Sequence, residues 1–164
     1  METYIKKTLV NTLLISTTAL ISFYTTYAQD KVSAVKNMVE SQNFVLKVQT
    51  MHPMNGRTRQ LTSDYDLKIL KDSIIAYLPY FGRAYSPSIN SSEGGIQFTS
   101  TEFEYKKTNS KKGGWDIQIK PKDGKDVRQL DLKISENGSA YLLVSSNNRQ
   151  SISFSGYIAD SVVR

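Results

Sequence analysis

The chain has 164 residues, one histidine, no cysteine and a formal net charge of +6. Without cysteine there is no disulfide framework, no lipid-modified cysteine anchor and no thiolate nucleophile, and zinc chemistry, which draws on His and Cys, has almost no donors. The length suits one domain, and a domain of this size buries roughly two-thirds of its unfolded surface without needing a staple.

In chain order, Lys6 and Lys7 precede a mostly apolar run from Leu9 to Phe23, and Thr26-Tyr27-Ala28 ends on a small residue. Positive charge, apolar run and small residue in that order predict a secretory signal peptide over residues 1–28. The run is too short and too broken by Thr17, Thr18 and Ser22 for a spanning helix, which needs about 20 predominantly apolar residues. The expectation is an exported protein, periplasmic or extracellular, with no membrane span after signal removal. Lys6 and Lys7 against Glu2 leave a charge of +5 on residues 29–164.

Residues 30–41 carry Val32, Val35, Met38 and Val39 at helical spacing, with Lys31, Lys36 and Glu40 facing away. After Asn43 the period changes to two. Phe44, Leu46 and Val48 alternate with Val45, Lys47 and Gln49 in a strand ending near Met51, before Pro53 and the Asn55-Gly56 turn signal. Strands follow at 65–70 and 74–78, then the block Leu78-Pro79-Tyr80-Phe81-Gly82-Arg83-Ala84-Tyr85 and a Ser/Asn/Gly loop. Ile96 to Tyr105 reads as one long strand whose apolar parity switches midway, which predicts a bulge near Ser100-Thr101. Trp115, Ile117 and Ile119 alternate, as do Leu130, Leu132 and Ile134. Asn137-Gly138 signals a tight hairpin into Ala140, Leu142 and Val144, and Ile152, Phe154 and Ile158 close the series.

The fold class expected is mostly β: an antiparallel up-and-down meander of about eight strands forming a small barrel or strongly curled sheet, with one N-terminal helix covering an end. Residues 29–164 form that single domain. Barrel closure disposes of edge strands, and a two-sheet sandwich is the alternative. No βαβ pattern points to a parallel sheet.

Catalytic signals are sparse. His52 stands alone beside Pro53 at a strand end, and no G-x-S-x-G accompanies it. The carboxylate pairs Asp64/Asp66, Glu102/Glu104 and Asp123/Asp126 sit too close along the chain to flank a glycosidic cleft from opposite sides. No catalytic residue, metal ligand or cofactor is assigned, and a non-enzyme is expected. Lys106, Lys107, Lys111 and Lys112 surround the Gly113-Gly114 turn between Tyr105 and Trp115. Such a basic, aromatic-flanked tip can hold single-stranded nucleic acid, but export argues against that partner, and a solvated turn with weak attraction to acidic envelope polymers is the reading kept.

The aromatic block is the better candidate. Pro79 ends a strand and Gly82 allows a reversal, but a turn has no need of Tyr80, Phe81 and Tyr85. Arg83 offers a flat guanidinium that stacks on rings and pairs with acids. These side chains either plug the core or line a site.

Several runs carry a resemblance: Met54-Asn55-Gly56-Arg57; Leu61-Thr62-Ser63-Asp64-Tyr65; the 78–85 block; Gly94-Gly95-Ile96-Gln97-Phe98; and the stretch from Ser146-Asn147-Asn148-Arg149-Gln150 to Gly156. In that order, across the span after residue 28, they resemble the exported bacterial proteins of domain-of-unknown-function family 4251, found chiefly in Bacteroidetes. The resemblance implies a signal peptide and a lipocalin-like β-barrel, and no activity. It also directs attention to 78–85 and 146–156. If those two blocks meet, Tyr80, Phe81, Arg83, Tyr85 and Arg149 form one aromatic and cationic rim, either a ligand-binding site or a clasp closing the barrel. The leading functional expectation is a non-catalytic envelope protein binding a small amphipathic or anionic ligand at one barrel end. The alternative is a periplasmic protein-interaction or assembly module that uses the same patch. Large inward residues, among them Phe44, Phe98, Trp115 and Phe154, favour a filled interior and a shallow site.

Overall fold

The computed structural model describes residues 30–82, 95–123 and 126–161. The signal-peptide expectation therefore lies outside the described residues. Residues 30–41 are helical (α1), and contacts divide the chain after Ala34. Within the first part, Val32 is exposed, against the expectation that it shares the buried face. Within the second part, Val35 and Val39 are buried in the core and Met38 packs against it. The helix ends in a Schellman motif. The N–H of Gln42 donates to Val39 O and that of Asn43 to Met38 O, with Gln42 in the left-handed region at φ 51°.

Nine strands follow, all paired antiparallel: β1 Phe44–Pro53, β2 Arg59–Ile69, β3 Ile74–Leu78, β4 Ile96–Ser100, β5 Phe103–Asn109, β6 Trp115–Pro121, β7 Val127–Ile134, β8 Ser139–Ser146 and β9 Ile152–Asp160. Their order in the sheet is β4-β3-β2-β1-β9-β8-β7-β6-β5, so the pairing of β1 with β9 joins the two halves of a nearly closed, barrel-shaped meander. The count of nine in place of about eight has a simple origin. Three antiparallel steps lead from β1 to β4 and five lead from β1 to β5. Both strands therefore run opposite to β1 and share a direction.

They are one long strand bent at Thr101-Glu102. The half before the bend pairs with β3 and the half after it with β6. The parity switch is real: Ile96, Phe98 and Ser100 face inward before the bend, and Phe103 and Tyr105 after it. A full break takes the place of the predicted bulge because Asp123 claims the backbone there. Its carboxylate accepts from Ser100 Oγ, from Thr101 N at 2.9 Å and from Glu102 N at 3.3 Å. Those bonds, led by the Ser100 hydroxyl, hold the Asp123 carboxyl below the usual carboxylate range.

Two further departures concern β1 and β2. The register of β1 slips at Gln49 against both neighbours, a bulge that returns Met51 to the interior and carries the strand on to Pro53. Strand β2 begins at Arg59, six residues earlier than its apolar pattern suggests, because residues 59–64 are polar apart from Leu61 and mostly exposed.

Inward side chains from all nine strands make one core, with Phe44, Leu46, Leu67, Leu130, Leu142 and Phe154 among the fully buried. The interior is filled by side chains, one of the two outcomes for a barrel of this size. Two glycines admit close approaches. Gly138, at φ 84°, supplies the left-handed position of the Asn137-Gly138 turn, and a Cβ there would lie 3.2 Å from Val35. At Gly156 a Cβ would lie 1.9 Å from the carbonyl oxygen of Lys47, so only glycine fits beside the β1 bulge.

Candidate functional site

Strand directions place four connections at one end of the barrel, described at residues 54–58, at 79–82 and 95, at 122–123 and 126, and at 147–151. The two sequence blocks singled out above belong to two of these, and they do meet. Leu78 and Pro79 are buried. Tyr80 turns inward, packs against the core and donates its hydroxyl to Gln150 O at 3.2 Å. Arg149 stacks over the Tyr80 ring, with Cζ 5.1 Å from the centroid, and donates from Nη1 to Gly95 O at 3.0 Å. Its Nε lies 2.9 Å from Oδ2 of Asp126 as an ion pair off the N–H axis, and Oδ1 of Asp126 is buried with no hydrogen-bond partner among the described residues. The N–H of Asn147 donates to Asp126 O at 2.9 Å.

Arg149 is thus a clasp residue. Its side chain is 10% exposed and binds the start of β4, the approach to β7 and the β8–β9 connection to one another. Of the two expectations for Arg149 and Tyr80, a binding rim or a clasp, these contacts are those of a clasp, since a guanidinium with an acid, a carbonyl and a ring at hand satisfies itself locally. Arg83 and Tyr85 lie outside the described residues.

Phe81 behaves differently. It is 49% exposed, and Arg59 Cζ sits 4.5 Å from its ring centroid. Stacking occupies the face of a guanidinium and leaves its N–H edge available to an acid. Beside this pair, Pro53, Asn55, Gly56, Arg57, Gly82 and Gln150 complete the lining of a depression of about 350 Å³. Among the described residues the lining contains two arginines and no acid, and neither arginine has an ion pair. Arg57 and Arg59 escaped the sequence reading of the site because residues 59–64 did not read as strand. The Arg-x-Arg spacing, which puts both side chains on one face of an extended segment, was the available signal.

The other candidates resolve as follows. His52 bonds to two hydroxyls, Thr58 Oγ1 at 3.1 Å from Nδ1 and Ser155 Oγ at 2.9 Å from Nε2. That is a serine–histidine contact, but a threonine stands where an orienting carboxylate would be needed. Asp66 pairs with Lys47 at 2.9 Å, Glu104 with Lys122 at 3.1 Å, Asp123 with the β4–β5 bend, and Asp126 with Arg149. Among the described residues no group of three or more His, Asp or Glu is placed to hold a metal ion, and no helix is long and apolar enough to cross a membrane. At the far end, the β5–β6 and β7–β8 tips flank a cleft of about 860 Å³ whose lining includes Lys111, Lys112 and Lys133 but also Asp116 and Glu136.

The sequence pattern of the family described as Domain of unknown function (DUF4251) matches residues 27–158. A crystal structure at 1.95 Å resolution of a DUF4251 family protein from Bacteroides eggerthii DSM 20697 superposes with a TM-score of 0.58. The two chains are 16% identical, and the match covers 79% of this chain and 87% of that one. At that identity the likeness speaks for the fold alone. No curated protein matches the chain. With 132 residues covered in family order and the barrel shared with a solved member, the chain belongs to the DUF4251 family.

Proposed function

We propose that this chain is an exported, non-catalytic binding protein that takes a small amphipathic anion in the depression between Arg57, Arg59 and Phe81. The observation that carries the reading is the pairing of a half-exposed phenylalanine with a guanidinium 4.5 Å away, in a hollow whose lining, among the described residues, holds no acid. Small-molecule sites combine an apolar wall with a few placed polar groups. Here Phe81 and Pro53 supply the wall, the two arginines attract the anion, and the amides of Asn55 and Gln150 add hydrogen-bonding groups. The filled interior limits the ligand to a shallow seat.

The protein-interaction reading is weaker, because Tyr80 and Arg149 are committed to the clasp and leave Phe81 as the exposed member of the patch among the described residues. Export belongs to the same proposal and rests on Lys6-Lys7, the apolar run and Ala28. N-terminal sequencing of protein recovered outside the cytoplasm should begin at Gln29.

Binding is tested by titrating a dansyl-labelled short-chain carboxylate against the wild type and Arg59→Ala. Saturable binding that weakens about tenfold or more in the variant is expected, as for loss of a charge-assisted contact worth at least ~1.5 kcal/mol. A wild type that does not saturate, or a variant that binds equally well, removes the proposal.

A further inference from the structure

We infer that this end of the domain docks on an anionic lipid bilayer, with Met54 and Phe81 entering the interface and Arg57 and Arg59 meeting lipid phosphates. The inference rests on the reading above, since it uses the same depression, and adds where the anion resides.

Three observations lead to it. Among the described residues the large apolar side chains left exposed are Val32, Met54, Tyr77, Phe81, Tyr141 and Tyr157. The two most exposed, Met54 at 65% and Phe81 at 49%, carry no hydroxyl and lie at the same end of the barrel, Met54 in the β1–β2 loop and Phe81 just after β3. The three tyrosines are wall residues whose hydroxyls suit water. Exposed apolar side chains grouped beside basic ones are the mark of an interfacial contact.

The hollow itself carries charge of one sign. Among the described residues its lining holds two arginines and no acid, whereas the lysines of the far cleft share theirs with Asp116 and Glu136. An anionic headgroup seated beside Met54 and Phe81 therefore meets two arginines and no carboxylate of that lining.

Size supplies the third argument. A hollow of about 350 Å³ holds a headgroup, and the filled interior leaves no place for acyl chains. An amphiphile seated here keeps its tails outside the protein, and in a bilayer those tails are already sheltered. Two arginines and two apolar side chains make the contact reversible, in the manner of peripheral proteins with a single weak signal.

The test is co-sedimentation of the purified chain from Gln29 onward, the form expected after signal removal, with sucrose-loaded vesicles of phosphatidylcholine, with and without about 30% phosphatidylglycerol, a content chosen to give the strongly negative surface on which such contacts depend. Binding to the anionic vesicles alone is expected. Arg57→Gln with Arg59→Gln should lower the partition coefficient about 25-fold, at roughly fivefold per basic residue near an anionic surface. Met54→Ser and Phe81→Ser should each lower it severalfold. Lys111→Gln with Lys112→Gln, which removes the same charge from the other end, should change it less than twofold, a bound set well inside the fivefold expected of a contacting cation.

Phe81→Trp gives a second readout. The natural Trp115 is buried, so a blue shift on adding anionic vesicles reports the new side chain entering the interface. Equal losses from the arginine and lysine pairs would overturn the inference, as would no vesicle binding by the wild type. In the latter case, saturable binding of monomeric short-chain phosphatidylglycerol leaves the small-ligand reading standing, and no binding of either form removes both.

Discussion

Replacing Arg149 by alanine should destabilise the domain by about 3 kcal/mol, and the figure follows from what the side chain touches. A charged hydrogen bond such as Nη1 to Gly95 O contributes about 1.5–3 kcal/mol. The contact over Tyr80 adds about 0.5–1 kcal/mol. Removing one member of a fully buried ion pair costs about 3–5 kcal/mol, but Asp126 is 31% exposed and water relieves part of that loss. These terms share atoms and do not add, which places the sum near the charged hydrogen bond's upper value.

Urea denaturation of wild type, Arg149→Ala, Asp126→Ala and the double variant measures it. The cycle should return a coupling of about 1–2 kcal/mol between the two residues, the double variant losing less stability than the sum of the singles by that amount. A loss below about 1 kcal/mol for Arg149→Ala, or zero coupling, would refute the assignment of Arg149 to the clasp and return it to the open rim.

Four other outcomes follow from the same geometry. Gly156→Ala should cost about 3 kcal/mol or abolish folding, because its Cβ meets the Lys47 carbonyl oxygen at 1.9 Å; a melting temperature within a few degrees of wild type would contradict this. Asp123 has its carboxyl held below the unfolded value, so its contribution is present above pH ~4 and is lost as pH falls through the lower folded value. Asp123→Asn should flatten that acid limb in a pH series of urea midpoints. The Tyr105 hydroxyl is buried with no hydrogen-bond partner among the described residues, and burial pushes its pKa up to about 12. Tyr105→Phe should therefore leave stability at neutral pH unchanged or raise it by up to about 1 kcal/mol, and should remove the part of the alkaline loss between pH ~10 and ~12 that this group contributes. Gln42→Gly, at the left-handed end of α1, should stabilise by about 0.5–1 kcal/mol in thermal melts, since glycine takes that conformation without a Cβ penalty.

Much of the fold was legible because one face of nearly every strand is buried, and period-two lettering reports that directly. The parity switch between Phe98 and Phe103 marked the bend before any pairing was known. What escaped were features set by distant partners. No period-two pattern marks residues 59–64 as strand; Arg59 and Gln60 pair because β1 continues past Gln49 and sets Met51 and Thr50 opposite them. Arg149 reads as a projecting turn residue until Asp126 and Gly95 are placed beside it by pairings more than twenty residues away in sequence. The site shows the same division. Phe81 was visible as an aromatic with no local task, whereas Arg59 became a site residue only through its position over that ring. Arg83 and Tyr85, outside the described residues, keep only their sequence argument.

Amide chemical shifts, followed in a ¹⁵N-labelled sample during titration with monomeric short-chain phosphatidylglycerol, test the binding account most directly. The account predicts saturable shifts gathered at residues 54–59, at 81–82 and at Gln150, with the 110–114 and 135–138 turns unmoved. Shifts centred on those far turns, or none that saturate, would contradict it.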